Sequence, residues 1–135
     1  MAVPENVVKT SDFDFFSQEE AEVFDNTVGI KRRHIAPDNM CASDMCQAAA
    51  EKLLEELGWE RDSIDVLLFE SVTGDYRTPP TSCILQDRLA LSENCFCMDI
   101  PMGCCGCMYA ITVAGNLLTT GNVKRALLLI GDTAL

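Results

Sequence analysis

The stretch Cys95-Phe96-Cys97-Met98-Asp99-Ile100-Pro101-Met102-Gly103-Cys104-Cys105-Gly106-Cys107-Met108-Tyr109-Ala110 reads as a short apolar strand, a tight turn and the first turn of a helix. Cys104 falls where the turn becomes helix. A thiol at that position lies beside unpaired backbone N–H groups and the positive end of the helix dipole, and both favour the thiolate. The pattern predicts a nucleophile.

Residues 100–123 contain no Asp, Glu, Lys, Arg or His. A membrane span needs about 20 consecutive apolar residues, but this run is interrupted by Pro101, Gly103, Gly106, Gly115, Asn116, Thr119, Thr120, Gly121 and Asn122 and lacks a Leu/Ile/Phe-rich centre. A helix apolar on every face is otherwise one enclosed in a larger soluble fold. The expectation is therefore a buried helix with its thiol at the bottom of a pocket.

The 135 residues fit one domain, 1–135, and 48% hydrophobic residues suffice for a core. Ten Lys plus Arg against 21 Asp plus Glu leave a formal charge of −11. That balance argues against nucleic acid and anionic membrane surfaces, which call for a basic footprint. The opening residues, Met1-Ala2-Val3-Pro4-Glu5-Asn6, carry no charged segment followed by an apolar run, so the chain is expected in the cytoplasm.

Eight cysteines, at 41, 46, 83, 95, 97, 104, 105 and 107, are spread through segments that read as helix and strand. In a reducing compartment they are expected as thiols. A zinc site from Cys95, Cys97, Cys104 and Cys107 is the second possibility, although Cys-x-Cys is not the usual knuckle spacing, and the expectation is no metal. Cys41, Cys46, Cys83, Cys95 and Cys97 read as small core hydrophobes. Cys104-Cys105-Gly106-Cys107 also holds a Cys-x-x-Cys at a helix start, the layout of thiol–disulfide oxidoreductases. The aromatic residue usual before that motif is absent.

Along the chain, Ser17-Gln18-Glu19-Glu20 is a capping box opening a helix to about Asn26, and Gly29 turns the chain. Residues 30–35 look extended. Ser43 or Asp44 caps a second helix with apolar positions Met45, Ala48, Ala49, Leu53, Leu54 and Leu57, ended by Gly58. Residues 65–71 form a continuous apolar run, typical of a strand covered on both faces. Pro80 begins a short helix through Leu89, and a last buried strand covers residues 125–130. No opening strand or internal linker is visible, and the chain stops after a strand suited to the inside of a sheet. Strand and helix alternate, which predicts an α/β layered fold, with the chain as half of a larger one.

Four segments together resemble the β-ketoacyl-acyl carrier protein synthase III type condensing enzymes, which have the thiolase fold. Residues 29–36 (Gly-Ile-Lys-Arg-Arg-His-Ile-Ala) are similar to the family's Gly-Ile-Arg-x-Arg stretch, and Ser71-Val72-Thr73-Gly74-Asp75-Tyr76 through Pro80-Thr81-Ser82-Cys83 to its Thr-x-Asp-Tyr…Pro-Ser loop. Asp99-Ile100 through Cys104-x-Gly106-x-x-Tyr109-Ala110 resembles the nucleophile segment, and residues 126–133 the strand after it. The likeness runs from Val3 to Thr133.

This resemblance implies the N-terminal half of a thiolase-like α/β fold, with a mixed, mostly parallel sheet and Cys104 as the acyl-carrying nucleophile. The implied reaction is a decarboxylative condensation of the acyl group with a malonyl-carrier-protein thioester, in fatty acid or polyketide initiation. The family's His and Asn lie in the second half of its fold, and His34, the only histidine, does not match; it is expected as a partly exposed surface residue. The half chain is thus expected to be inactive alone. No tightly bound cofactor is implied; acyl coenzyme A or the phosphopantetheine of acyl carrier protein delivers the substrate, and Lys31, Arg32 and Arg33 could meet its phosphates or simply form a solvated face. Val23 and Thr27 stand where coenzyme A-using members carry Trp and Arg. Pro79 replaces an aromatic wall of the acyl pocket, and Pro101-Met102-Gly103 replaces smaller residues before the nucleophile. A homodimer paired through the strand at residues 95–99 is also implied. The competing classes are a thiol–disulfide redox protein using Cys104 and Cys107, and a non-catalytic dimerisation module.

Overall fold

The computed structural model describes residues 1–133, in the order β1 (Val7–Lys9), α1 (Gln18–Val28), β2 (Arg32–His34), α2 (Ala42–Leu57), β3 (Val66–Glu70), α3 (Thr81–Arg88), β4 (Phe96–Ile100), α4 (Gly106–Thr119) and β5 (Ala126–Ile130). These elements group into two units, one of Val3–Asn39 and one built from Met40 onward.

In the first unit β1 pairs antiparallel with β2, Val7 opposite His34 and Lys9 opposite Arg32. The sequence showed no opening strand because three residues are too few for alternation to register; pairing with a distant partner makes β1 a strand. Helix α1 starts at the expected capping box: the Glu20 N–H donates to Ser17 Oγ at 3.3 Å, and the Ser17 N–H to the Glu20 carboxylate at 2.9 Å. It runs to Val28, two residues beyond expectation, and Gly29 ends it at φ +79°. A left-handed residue there is strain-free only as glycine.

The second unit is a three-stranded parallel sheet in the order β4-β3-β5. All five residues of β3 are buried, as the continuous apolar run required. Leu67 and Phe69 meet Leu127, Leu129 and the helices α2 and α3 on one face, whereas Val66 and Leu68 meet Ala110 and Ala114 of α4 on the other. The result is a helix–sheet–helix sandwich. Glu70 in turn is 3% exposed, a carboxyl at the end of the Val66–Leu68 stripe.

Two expectations for α2 are corrected. Its N-cap is Cys41, with Asp44 at the third helical position accepting the Cys41 N–H at 2.8 Å. Ser43 is wholly buried instead, donating to Asp75 at 2.6 Å and accepting from Arg88 at 3.0 Å. The core-facing stripe is accordingly Ala42, Cys46, Ala50 and Leu54, while Leu53 and Leu57 are exposed. Small residues win the inner face because α2 packs close against the sheet and α3.

The larger correction concerns α4. It was expected to be enclosed, yet it buries only the stripe Gly106, Ala110 and Ala114, leaving Met108 65% and Tyr109 51% exposed. One sheet face can cover only one side of a helix, and among the described residues no second layer lies over α4. No described helix is long and apolar enough to cross a membrane.

Helix α3 depends on a carboxylate from the neighbouring strand. Asp99 accepts the Thr81 N–H at 2.7 Å and the Ser82 N–H at 2.8 Å, satisfying two donors that a helix start leaves free. Asp99→Ala is expected to lower stability by about 1–2 kcal/mol in urea unfolding, with Asp99→Asn recovering about half, because one amide oxygen still accepts.

Candidate active site

Parallel pairing brings the carboxyl ends of β3, β4 and β5 to one edge of the sheet, where open α/β folds bind ligands. Each strand contributes one part of the site.

From β4, Ile100 is buried and the chain leaves through Pro101 and Met102 to a 3-10 turn, Gly103–Cys105, that runs directly into α4. Gly103 has φ +63°, so the turn that aims Cys104 requires glycine. Cys104 thus stands at the positive end of the α4 dipole. It is exposed, not at the bottom of a pocket as expected, because the sheet walls only one side of the turn. Its neighbour Cys105 is also exposed, with its thiol donating to the Met102 carbonyl at 3.2 Å. Cys107 is half-buried.

From β5 comes Asp132, a residue that carried no signal in the sequence beyond its place in the resemblance. Its Oδ1 accepts from Ser71 Oγ at 2.8 Å, from the N–H groups of Val72 and Thr73 at 2.7 and 3.1 Å, and from Thr73 Oγ1 at 3.1 Å. Burial pushes this carboxyl up, but the combined hydrogen bonds from Ser71, Val72 and Thr73 outweigh it and hold Asp132 below the usual carboxylate range. The loop after β3 is thereby clamped, and a Cβ at Gly103 would lie 3.7 Å from Val72 Cγ1. That loop and the Cys104 turn are therefore neighbours.

From β3 comes Glu70, which the apolar reading of residues 65–71 passed over. A Cβ added at Gly106 would overlap its carboxyl, so Glu70 lies directly against the first turn of α4. Its Oε1 is buried with no hydrogen-bond partner. Burial, and then the charge of Asp132, push its carboxyl above the ordinary value. A carboxylate inside a strand otherwise apolar on both faces was the available signal.

The remaining thiols divide by burial. Cys46 and Cys95 are buried and Cys97 half-buried, as expected of small hydrophobes. Burial pushes Cys46 up to about 11 and Cys97 up to about 12, so neither is a thiolate at neutral pH. Cys41 and Cys83 depart from expectation and are exposed, Cys41 because it is the cap preceding the buried stripe of α2 and Cys83 because it lies on α3 away from the buried Thr81, Ser82 and Leu85. Burial, then Asp75 and Asp44, nonetheless raise Cys41. Cys95 and Cys97 belong to the α2–α3 side of the sheet, while Cys104 and Cys107 lie at the start of α4 on the other. Among the described residues no group of three or more His, Cys, Asp or Glu could hold a metal ion.

The basic cluster lies in the first unit. Lys31 and Arg32 are exposed, whereas Arg33 donates to Thr10 Oγ1 at 3.1 Å and stacks its guanidinium 5.3 Å from the centre of the Phe24 ring. Exposed His34 bonds the Pro4 carbonyl through Nδ1 at 2.6 Å. Val23 is exposed beside Phe16, Phe24 and Thr27, which line a shallow groove on α1.

No family model matches the chain. In sequence it is 33% identical over 127 residues to a β-ketoacyl-[acyl-carrier-protein] synthase III of Acholeplasma laidlawii, covering 93% of this chain and 41% of that protein. A protein of the same description from Sulfurovum sp. is 36% identical over 130 residues, covering 96% of this chain and 38% of that protein. Among solved structures, a 3-oxoacyl-(acyl-carrier protein) synthase from Burkholderia xenovorans superposes with a TM-score of 0.89 at 40% identity, covering 94% of this chain and 37% of that one. A 3-oxoacyl-[acyl-carrier-protein] synthase III from Aquifex aeolicus gives 0.87 at 26% identity, covering 98% and 42%. The chain thus spans about 40% of the length of the curated relatives it matches. Sequence and fold agree: this chain is similar to the β-ketoacyl-[acyl-carrier-protein] synthase III condensing enzymes, carrying the mixed α/β, thiolase-like architecture of roughly the N-terminal 40% of their fold.

Proposed function

We propose that the chain supplies the nucleophile-bearing part of a β-ketoacyl-acyl carrier protein synthase III-like acyltransferase, with Cys104 as the acyl-carrying residue. The observation that carries this reading is the position of Cys104: exposed, on a glycine-permitted turn, at the start of a charge-free helix and at the carboxyl edge of a parallel sheet. A thiolate there attacks the carbonyl carbon of an acyl thioester. The tetrahedral intermediate expels the carrier thiolate, leaving an acyl group on Sγ, and the backbone N–H groups of the helix start favour the anionic sulfur before attack.

In the complete reaction a malonyl-carrier thioester loses carbon dioxide, and the resulting enolate takes the acyl group from Cys104, releasing the thiolate and a β-ketoacyl thioester. That second half-reaction requires donors that stabilise the enolate. The resemblance assigns that His and Asn to the second half of the fold, and exposed His34, the only histidine in this sequence, bonds the Pro4 carbonyl. The reading therefore assigns acyl transfer to this chain and withholds condensation from it. It carries with it a cytoplasmic location, acyl coenzyme A or acyl carrier protein as donor and carrier, no tightly bound cofactor, and the two units as parts of one domain. Lys31 and Arg32 are the cationic groups free to meet carrier phosphates, with Arg33 holding the fold beside Phe24. The edge strand β4, with Phe96 51% exposed, supports a homodimer in which the sheet continues across the partner.

Incubation with an acyl coenzyme A series should leave one acyl adduct per chain, on Cys104, when peptides are sequenced by mass spectrometry. Cys104→Ala should reduce it to background, Cys105→Ala and Cys107→Ala should not, and no β-ketoacyl product should form on adding malonyl-carrier protein. A reversible Cys104–Cys107 disulfide with no acyl adduct would instead establish redox chemistry. Lys31→Glu with Arg32→Glu should slow adduct formation by up to about tenfold at low ionic strength, with the difference vanishing in high salt.

A further inference from the structure

The stripe of β3 that faces α4 reads Val66, Leu68, Glu70, so a carboxyl occupies a place where the packing calls for a third apolar side chain. Glu70 is 3% exposed, its Oε1 has no partner, and the only glycine in the first turn of α4, Gly106, is the residue it lies against. A buried polar atom left without a hydrogen bond is destabilising by about 1–3 kcal/mol. Simple packing would favour valine.

The groups around this carboxyl leave it without a cation. Ile100 of β4 and Ile130 of β5 stand opposite it in register, and Asp99 of β4 is turned to the N-terminus of α3. Asp132, beyond β5, adds a negative charge. Helix α4 presents Cys104, Cys105 and Cys107 at its start, and residues 100–123 contain no charged side chain. Glu70 and Cys104 therefore compete for one favourable feature, the positive end of α4.

We propose that Glu70 is a positioning residue that sets the reactivity of Cys104, holding the nucleophile turn through its contact with Gly106 and opposing thiolate formation whenever its own carboxyl is ionised. The inference rests on Cys104 being the nucleophile. When Glu70 carries its proton, the helix-start field acts on the sulfur alone. Once Glu70 loses it, an anion lies against the first turn of α4 and draws on the same helix-start field, which makes the thiolate less favourable. Because burial holds the Glu70 proton to higher pH than an exposed glutamate, the restraint sets in above the ordinary carboxylate value of 4.5.

The test is the pH dependence of Cys104 alkylation by substoichiometric iodoacetamide, read peptide by peptide. Glu70→Gln removes the charge while keeping the shape, and should raise the Cys104 labelling rate by up to about tenfold at pH values where Glu70 is ionised, with no change at lower pH. Glu70→Val should do likewise and also raise the urea midpoint, which guards against a variant that merely unfolds. Gly106→Ala should slow Cys104 labelling, because its methyl overlaps the Glu70 carboxyl, and adding Glu70→Ala to it should restore the rate. Selective Cys104 labelling with an unchanged rate across the pH range in both Glu70 variants, or no rescue in the double variant, overturns this inference while leaving the nucleophile assignment standing. Cys104 no more reactive than Cys105 in the unaltered chain overturns both.

Discussion

The burial of β3 between β4 and β5 is the constraint on which the site depends. A parallel central strand covered on both faces has its register fixed by two hydrophobic clusters at once, Leu67 and Phe69 with α2 and α3, Val66 and Leu68 with α4. A slip of one residue would exchange the two faces. Because all three strands run the same way, fixing that register also fixes where their ends emerge. The Asp132 clamp, the loop it holds and the Cys104 turn then fall at one edge, without any of them having to be placed separately.

That edge is where the chain departs from what packing alone would choose. Gly103 and Gly106 forgo helix and strand propensity for a positive φ and for room beside Glu70 respectively. Asp132 concentrates four hydrogen bonds on one oxygen, and Glu70 keeps an oxygen with none. These contrasting carboxyls flank the Cys104 turn. Asp132 is held as an anion by its donors and stiffens the loop; Glu70, buried with no partner for Oε1, holds its proton above the ordinary carboxylate value. Local concessions of this kind concentrate at functional sites, since residues selected for stability alone would have removed them.

Sequence carried the order of elements well wherever a pattern was long or a cap chemically explicit. The β3 run, the Ser17–Glu20 capping box, and the glycines ending α1 and α2 all lie where their chemistry requires. The strand–glycine–helix junction that carries Cys104 was legible for the same reason, being a local event. Burial of α4 was not legible: lack of charge says what a helix can tolerate on its faces, whereas exposure depends on what lies across from it. The Ser43 error has the same origin, since a good capping residue was drawn inward by Asp75 and Arg88, which sequence spacing does not bring near it. Glu70 was hidden by its neighbours, because four buried apolar residues made the strand assignment insensitive to the fifth.

Eight thiols in one small unit raise the question of selectivity, and the fold answers it by position. Reactivity requires the anion and access to it together. Cys46, Cys95 and Cys97 lack the access, and burial raises all three; Cys41 has access but stands near Asp75 and Asp44, which oppose a further negative charge. Cys105 shares the turn with Cys104, and its thiol donates to the Met102 carbonyl. Cys107 is partly covered one residue into α4. Cys104 combines exposure with a place on the Gly103 turn that runs directly into α4. The same abundance of cysteine is why a redox reading also arises from the sequence: Cys104 and Cys107 keep the Cys-x-x-Cys spacing at the start of α4, Cys104 exposed and Cys107 half-buried, and both are free thiols.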